Sequence, residues 1–324
     1  MQLLLINHET RLTYTAPVTE SVIEVRTAPP SQEDQTVLAY RLAVSPPAAV
    51  TGYRDGFGNR VELFNLPAPH TEVVVRAVSC VRVHRAPQPD RLAGAVWSPG
   101  RPADVDAAEF LLPSPQVDFT PAVRAFAEGV PLADGMPLAR AAEAVMRAVC
   151  DRLVYEKEVT AAHTRVSEAL DLGRGVCQDM AHLFLAAARL RGMPARYVSG
   201  YVHQPGEIAT HAWVQVWGGP EVGWANLDPT HGKWVGADHV ITAVGRDFSD
   251  VPPNRGVWRG EAVESINVTV NVQPSDKVPA ELAEPTGAPA WSATAVAARH
   301  RGAGLDQQAR ARVFRQQQSQ QQQS

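Results

Sequence analysis

Residues 1 to about 95 alternate short β-branched runs with turn residues. The runs at 11–15, 21–26, 37–44, 71–76 and 79–83 are punctuated by Pro29-Pro30, Pro46-Pro47 and Asp55-Gly56-Phe57-Gly58-Asn59. Short strands with frequent turn signals predict a β-sandwich-like domain. A proline-rich connection at about 86–104 leads into helical periodicity at 121–127, at 137–153 and at 166–170. The longest of these carries apolar residues at Ala141, Ala144, Val145, Ala148 and Val149, one helical face. A glycine-rich turn from Gly173 opens a further helix that stops at Gly192 and Pro194. Val176, Met180, Leu183, Phe184 and Ala187 form its expected buried stripe. Strands return at 196–202, 211–217, 224–228 and 266–272. The order predicts a β-rich domain over 1–95 and an α+β domain over 105–272, with helices packed on an antiparallel sheet. The stretch 275–324, rich in Pro, Ala and Gln, is expected to be disordered.

Composition narrows this only a little. In 324 residues, 45% are hydrophobic and 20% charged, with a formal net charge of −4. That balance gives no reason to expect a nucleic-acid partner. Three cysteines, Cys80, Cys150 and Cys177, are too few and too scattered for a disulfide framework, and no zinc-ligand spacing occurs. Cys80 and Cys150 read as core thiols. No metal or cofactor is expected. The start lacks a basic leader, and no apolar run reaches membrane-spanning length. The expected location is the cytoplasm, with no membrane partner.

Candidate chemistry concentrates at 173–230. Cys177 falls in the first turn of its helix, where free backbone N–H groups and the helix dipole favour negative charge on sulfur. Those N–H groups could also hold an oxyanion. Asp179 lies in the same turn and reads as structural. His182 points about 140° away from Cys177 around the helix, a poor partner for the thiol. The better base is His211. A hairpin closing symmetrically between 219 and 220 would put His211 opposite Asp228, Trp213 opposite Asn226 and Gln215 opposite Trp224. The other face, Ala212, Val214, Val216, Ala225 and Leu227, is apolar and suited to burial. A thiol, an imidazole and a carboxylate so placed suit nucleophilic catalysis.

Gly175-Val-Cys-Gln-Asp179, His211-Ala-Trp213 and Asp228-Pro-Thr230 occur in the order and spacing of the transglutaminase-like superfamily. The resemblance is to its bacterial members with an N-terminal β-domain, and it covers about residues 1–272. It implies a papain-like transglutaminase core preceded by the β-sandwich-like domain. It implies that Cys177 is the nucleophile, His211 the general base and acid, and Asp228 the orienting carboxylate. It further implies acyl transfer from an amide of a peptide or protein substrate. Peptide cleavage, amide hydrolysis and glutamine transamidation all stay open, as does a silent peptide-binding module. Gln178, Trp213 and Asp179 are candidates for the oxyanion site and its surroundings. His231 stands where an Asn is more usual and is a second histidine near the site.

Overall fold

The computed structural model describes residues 1–85, 89–98, 105–204 and 210–283. Most of the tail expected to be disordered, 284–324, lies outside the described residues, as do 86–88 and 99–104 of the proline-rich connection. Of the tail's first residues, Ala280–Ala283 form a helical turn.

The N-terminal region is built on one long strand, β1 (Gln2–Val25), followed by β2 (Gln35–Ser45), β3 (Val50–Arg54), β4 (Arg60–Leu66) and β5 (His70–Val83). The runs expected as separate strands at 11–15 and 21–26 are both parts of β1. Pro17 lies between them, and the register shifts there between Thr13 and Val18 and again between Thr19 and Val22. Such irregularities let the strand bend without ending. The chain continues through helices α1 (Pro121–Gly129) and α2 (Leu138–Arg152), the short β6 (Val154–Tyr155), α3 (Val166–Leu172), the short β7 (Arg174–Gly175) and α4 (Cys177–Leu190). Strands β8 (Ala195–Val202), β9 (Thr210–Trp217), β10 (Trp224–Asp228), β11 (Lys233–Trp234) and β12 (His239–Gly245) follow. Last come β13 (Asn254–Arg259), β14 (Glu264–Pro274) and the helical turn α5 (Ala280–Ala283). Among the described residues no helix is long and apolar enough to cross a membrane.

The first sheet runs β2-β5-β1-β4-β3, with β13 and β14 also on β1. The first half of β1 lies between β5 and β14, and the second half between β4 and β13. The segment 254–274, expected within the α+β domain, therefore pairs with the N-terminal sheet. The second sheet runs β11-β10-β9-β8-β12 and is antiparallel throughout. Helix α4 packs on β8 and β9 in the main core. Its burial extends all round, from Gln178 to Arg189, beyond the single stripe expected. Enclosure between α1, α2 and the sheet is the reason, and the alanine run Ala186–Ala188 lets neighbours approach closely.

Leu4, Ile6, Val81 and Val83 of the first sheet share a cluster with Tyr201 and Val240 of the second. Edge strand β12 is closed by side chains of the N-terminal region. The Gln35 amide donates to Ile241 O (2.9 Å) and accepts from Ile241 N (2.8 Å), and Asn59 does the same at Val244, both contacts at 2.8 Å. An amide carries a donor and an acceptor side by side and so mimics a neighbouring strand. The Arg85 guanidinium donates to His239 O (3.1 Å). The N-terminal region thus fixes the strand that carries His239.

Candidate active site

Cys177 is the first residue of α4 and is partly exposed. The first intrahelical bond is Met180 N–H to Val176 O (3.1 Å), so the amides of Cys177 and Gln178 precede it. Asp179 closes this helix start. Its Oδ2 accepts from Val176 N (2.8 Å) and from Thr160 Oγ1 (2.6 Å). Gly175 is required here, because a Cβ on it would stand 2.5 Å from Asp179 Oδ2. Asp179 is therefore a cap. Burial pushes its carboxyl up to about 6 against the lowering effect of those hydrogen bonds.

That shift has a consequence for stability. A carboxyl whose folded pKa is raised binds more protons folded than unfolded, so its contribution is full below the unfolded value of 3.8 and is lost as pH rises through about 6. Asp179→Asn keeps an acceptor oxygen but does not ionise. Denaturant unfolding of both proteins should show the variant gaining on wild type by about 2–3 kcal/mol between about pH 4 and about pH 7.5. A difference that does not change with pH would show that Asp179 is not strained by its burial.

His211 lies on β9, 8% exposed, and pairs with Gly200 of β8. Gly200 makes room for the hairpin's aromatic face, since a Cβ there would lie 2.4 Å from the Trp213 ring. His211 Nε2 is 2.9 Å from Asp228 Oδ2, and the Cys177 side chain lies near enough to help raise the His211 pKa. With Nε2 on the carboxylate, Nδ1 is the nitrogen left for the thiol. Burial alone would lower the His211 pKa. The charge and hydrogen bond of Asp228, with a contribution from Cys177, outweigh it and raise it to about 10.

The pairing of His211 with Asp228 arises from a different register than expected. Trp224 lies opposite Trp217, Asn226 opposite Gln215 and Leu227 opposite Val214. The hairpin is thus two residues out of the symmetric register. Its closing turn spans Gly218 to Gly223, with Gly218 N–H on Gly223 O (2.8 Å) and positive φ at Gly219 and Gly223. A two-residue slip keeps every side chain on its face. His211 and Asp228 therefore meet diagonally. Trp213 and Gln215 both donate to Asn226 Oδ1 (3.1 and 2.9 Å).

Asp228 is fully buried and is the hub of the site. Its Oδ2 also faces His231 Nδ1 (2.5 Å) and His239 Nε2 (3.1 Å), while Oδ1 accepts from the backbone of Thr230 (2.9 Å) and His231 (3.3 Å). Burial would raise its pKa. The charge of His211 and the hydrogen bonds of the three histidines hold it well below the usual carboxylate range. His239 is in turn fixed by Asp238 Oδ1 on Nδ1 (2.8 Å), and Asp238 Oδ2 accepts from Lys233 Nζ (2.8 Å). A continuous polar chain runs from Lys233 to Cys177. Sequence reasoning gave His239 no role. Its local signal was the pair Asp238-His239 at the start of a largely apolar strand.

His211, Asp228, His231 and His239 offer donor atoms within 4.8 Å of one another. Three imidazoles and a carboxylate suit zinc. Hydrogen bonding already accounts for each contact, and an ion there would compete for the nitrogen that His211 turns to Asp228.

The other sequence candidates are also placed. The Gln178 amide donates to Ala162 O (3.1 Å), which ties its side chain to the loop before α3. Trp213 is fully buried and stacks on His211, with ring centroids 6.1 Å apart and planes 24° apart. His182 is fully buried. Its Nε2 accepts from Phe248 N (3.2 Å), its ring packs on Tyr197, and burial lowers its pKa to about 4. Cys80 is buried, and the Cys150 Sγ donates to Pro229 O (3.1 Å).

Cys177 and His211 open onto a cavity of about 470 Å³. Its walls come from both halves of the protein: His8, Thr10 and Arg26 of the N-terminal region stand with Tyr197 and Tyr201 of β8.

Comparison with known proteins agrees with this architecture. Residues 4–82 match the bacterial transglutaminase-like N-terminal region, and residues 124–229 match the transglutaminase-like superfamily. An uncharacterized protein of Mycobacterium leprae is 34% identical over 276 residues, covering 82% of this chain and 96% of its own. An uncharacterized protein of Mycobacterium tuberculosis is 33% identical over 289 residues, covering 83% and 92%. The fold is shared with a crystal structure from Cytophaga hutchinsonii named as a candidate cysteine protease. Its TM-score is 0.70 at 20% identity, over 86% of this chain and 92% of that one. The chain belongs to the transglutaminase-like superfamily, among the bacterial members that carry the transglutaminase-like N-terminal region.

Proposed function

We propose that the protein is a cysteine-dependent acyl-transfer enzyme that hydrolyses amide bonds, a peptidase or amidase working in the cytoplasm. The observation that carries this reading is His211, held between the Cys177 thiol and the buried Asp228 carboxylate. The Cys177 sulfur attacks the amide carbonyl carbon as a thiolate. The negative oxygen that develops lies toward the Cys177 and Gln178 amides at the start of α4. The C–N bond breaks as His211 hands its proton to the leaving amine. Water then attacks the thioester, gives a proton to His211 and releases the acid, restoring the thiolate. Asp228 holds the imidazole in one orientation throughout. A nucleophile that must stay a free thiol suits a reducing compartment.

Water is favoured over an amine as acceptor by the charge of the cavity. Among the described residues that line it none is Asp or Glu, while Arg26 and Lys157 are cationic. A protonated alkylamine is repelled from such a wall, and water is not. The test is a peptide library incubated with wild type or Cys177→Ala, with and without a biotinylated primary alkylamine, and read by mass spectrometry. New termini or deamidated side chains that need Cys177, in excess over amine adducts, are expected. Dominant amine adducts would instead make the protein a transamidase. Identical spectra from the two proteins would leave only a peptide-binding role.

A further inference from the structure

The same cavity holds polar groups that the proposed reaction does not use. Arg26, Thr230 and Asn254 line the cavity, and their buried Arg26 Nε and Nη1, Thr230 Oγ1 and Asn254 Oδ1 have no hydrogen-bond partner among the described residues. Arg26 is the sharpest case, because its side chain is only 7% exposed. A guanidinium has five N–H donors, and burying them unpaired is costly. Its nearest carboxylates leave Nε and Nη1 without a hydrogen bond. Glu24 Oε2 accepts a long hydrogen bond from Nη2 (3.5 Å), and Asp55 Oδ2 forms an ion pair with Nε at 3.6 Å, beyond hydrogen-bond reach. Asp55 is already engaged by the backbone N–H groups of Phe57 and Asn59 and by the Asn59 amide, all at 3.0 Å. Glu24 Oε1 accepts from Tyr53 OH (2.7 Å).

Backbone pairing explains why Arg26 faces this space. It follows the last residue of β1, and its N–H donates to Pro253 O (2.8 Å), which sets it beside Asn254 at the start of β13. The N-terminal sheet thus delivers a cation and an amide oxygen to a cavity whose thiol comes from α4. Exposed Lys157 adds a second positive charge. His8 adds none, since burial lowers its pKa to about 4. No lining residue among those described supplies a countercharge.

We infer that Arg26 recognises a carboxylate on the substrate, so that the amide acted on at Cys177 belongs to an anionic peptide. Asn254 Oδ1 accepts an N–H of the same ligand. A guanidinium pairs with a carboxylate through two parallel hydrogen bonds, which gives direction as well as charge. The carboxylate is either a free C-terminus or an acidic side chain, and both present the same two oxygens. This inference rests on the reading of Cys177 as the point of acyl transfer.

Three libraries of short N-acetylated peptides separate these cases. One lacks Asp and Glu and ends in an amide. The second has the same sequences with a free C-terminus, and the third is amide-capped with one Asp or Glu. Wild type should consume one carboxylate library at least about tenfold faster than the neutral one, and the faster library identifies the source. In Arg26→Gln the preference should fall to within about twofold, and Arg26→Lys should retain part of it by charge alone. The ratio is taken within one preparation, so loss of folded protein cancels. No preference in wild type, or an intact preference in Arg26→Gln, overturns the inference. A second arm needs no turnover: each library is added as a competitor while iodoacetamide labels Cys177. Slower labelling by a carboxylate library in wild type but not in Arg26→Gln upholds Arg26 even if nothing is hydrolysed, in which case the acyl-transfer reading alone fails. Turnover with no charge preference sinks the inference and leaves that reading standing.

Discussion

Replacing Cys177 by alanine should abolish amide turnover, lowering the rate by about a millionfold where the thiol is the nucleophile. The loss should come with little change in stability. The Cys177 side chain lies at a helix start and is partly exposed to the cavity, and alanine is a good helix residue. A surface change of this kind alters unfolding free energy by less than about 1 kcal/mol. Activity and stability therefore separate, which a folding defect would not allow. Thiol labelling supplies the companion measurement. Iodoacetamide should react first with Cys177, because Cys80 is buried and Cys150 Sγ is tied to Pro229 O. His211→Ala should slow that reaction by at least about tenfold, since the thiolate is the reactive form and His211 is its cation. Turnover that survives Cys177→Ala, or labelling indifferent to His211, would remove the nucleophile from this site.

The faces of the elements were legible in the sequence, but their partners were less so. The hairpin's alternation put His211, Trp213, Gln215, Asn226 and Asp228 on one face, and that follows from a period of two. Its register did not follow, because the glycine-rich turn closes around Gly218 and Gly223 and moves the centre of the hairpin by one residue. Strands β3 and β4 were hidden between turn residues that turn out to join them. Strand β14 looked like a continuation of the second sheet and β13 was not expected, yet both pair with β1, far away in the chain. Pairing over such separations is set by which surfaces remain uncovered after the rest has packed, and no local pattern records it. The same holds for the site. Cys177, His211 and Asp228 carry recognisable neighbours in sequence. His239 and Arg26 reach the site only because β12 and β1 are carried there by the tertiary fold.

The carboxylate at the hub gives the second large effect. Asp228→Asn should lower kcat/KM by about three to four orders of magnitude. An amide offers one acceptor oxygen, whereas Asp228 Oδ2 alone faces His211, His231 and His239. The NH2 of asparagine turned toward any of these rings forces that ring into its other tautomer. For His211 this misplaces the proton that the leaving amine needs. Electrostatics act in the same direction. Without the Asp228 charge the largest influence left on His211 is burial, which lowers its pKa from about 10. The pH dependence of stability reports this directly. A histidine raised from 6.5 to about 10 contributes stability that is full below 6.5 and is lost as pH rises through about 10. The depressed Asp228 contributes stability that is full above 3.8 and is lost as pH falls toward its folded value. The wild type is therefore stabilised by the pair most strongly between those limits. Asp228→Asn should lose that plateau and, by leaving a buried cluster without its counter-ion, lose about 3–5 kcal/mol near neutral pH. Urea unfolding followed across that range, with histidine NMR titration of both proteins, checks the two effects together. If His211 titrates alike in wild type and variant, the carboxylate does not control the imidazole, and the polar chain from Lys233 to Cys177 is packing without electrostatic consequence.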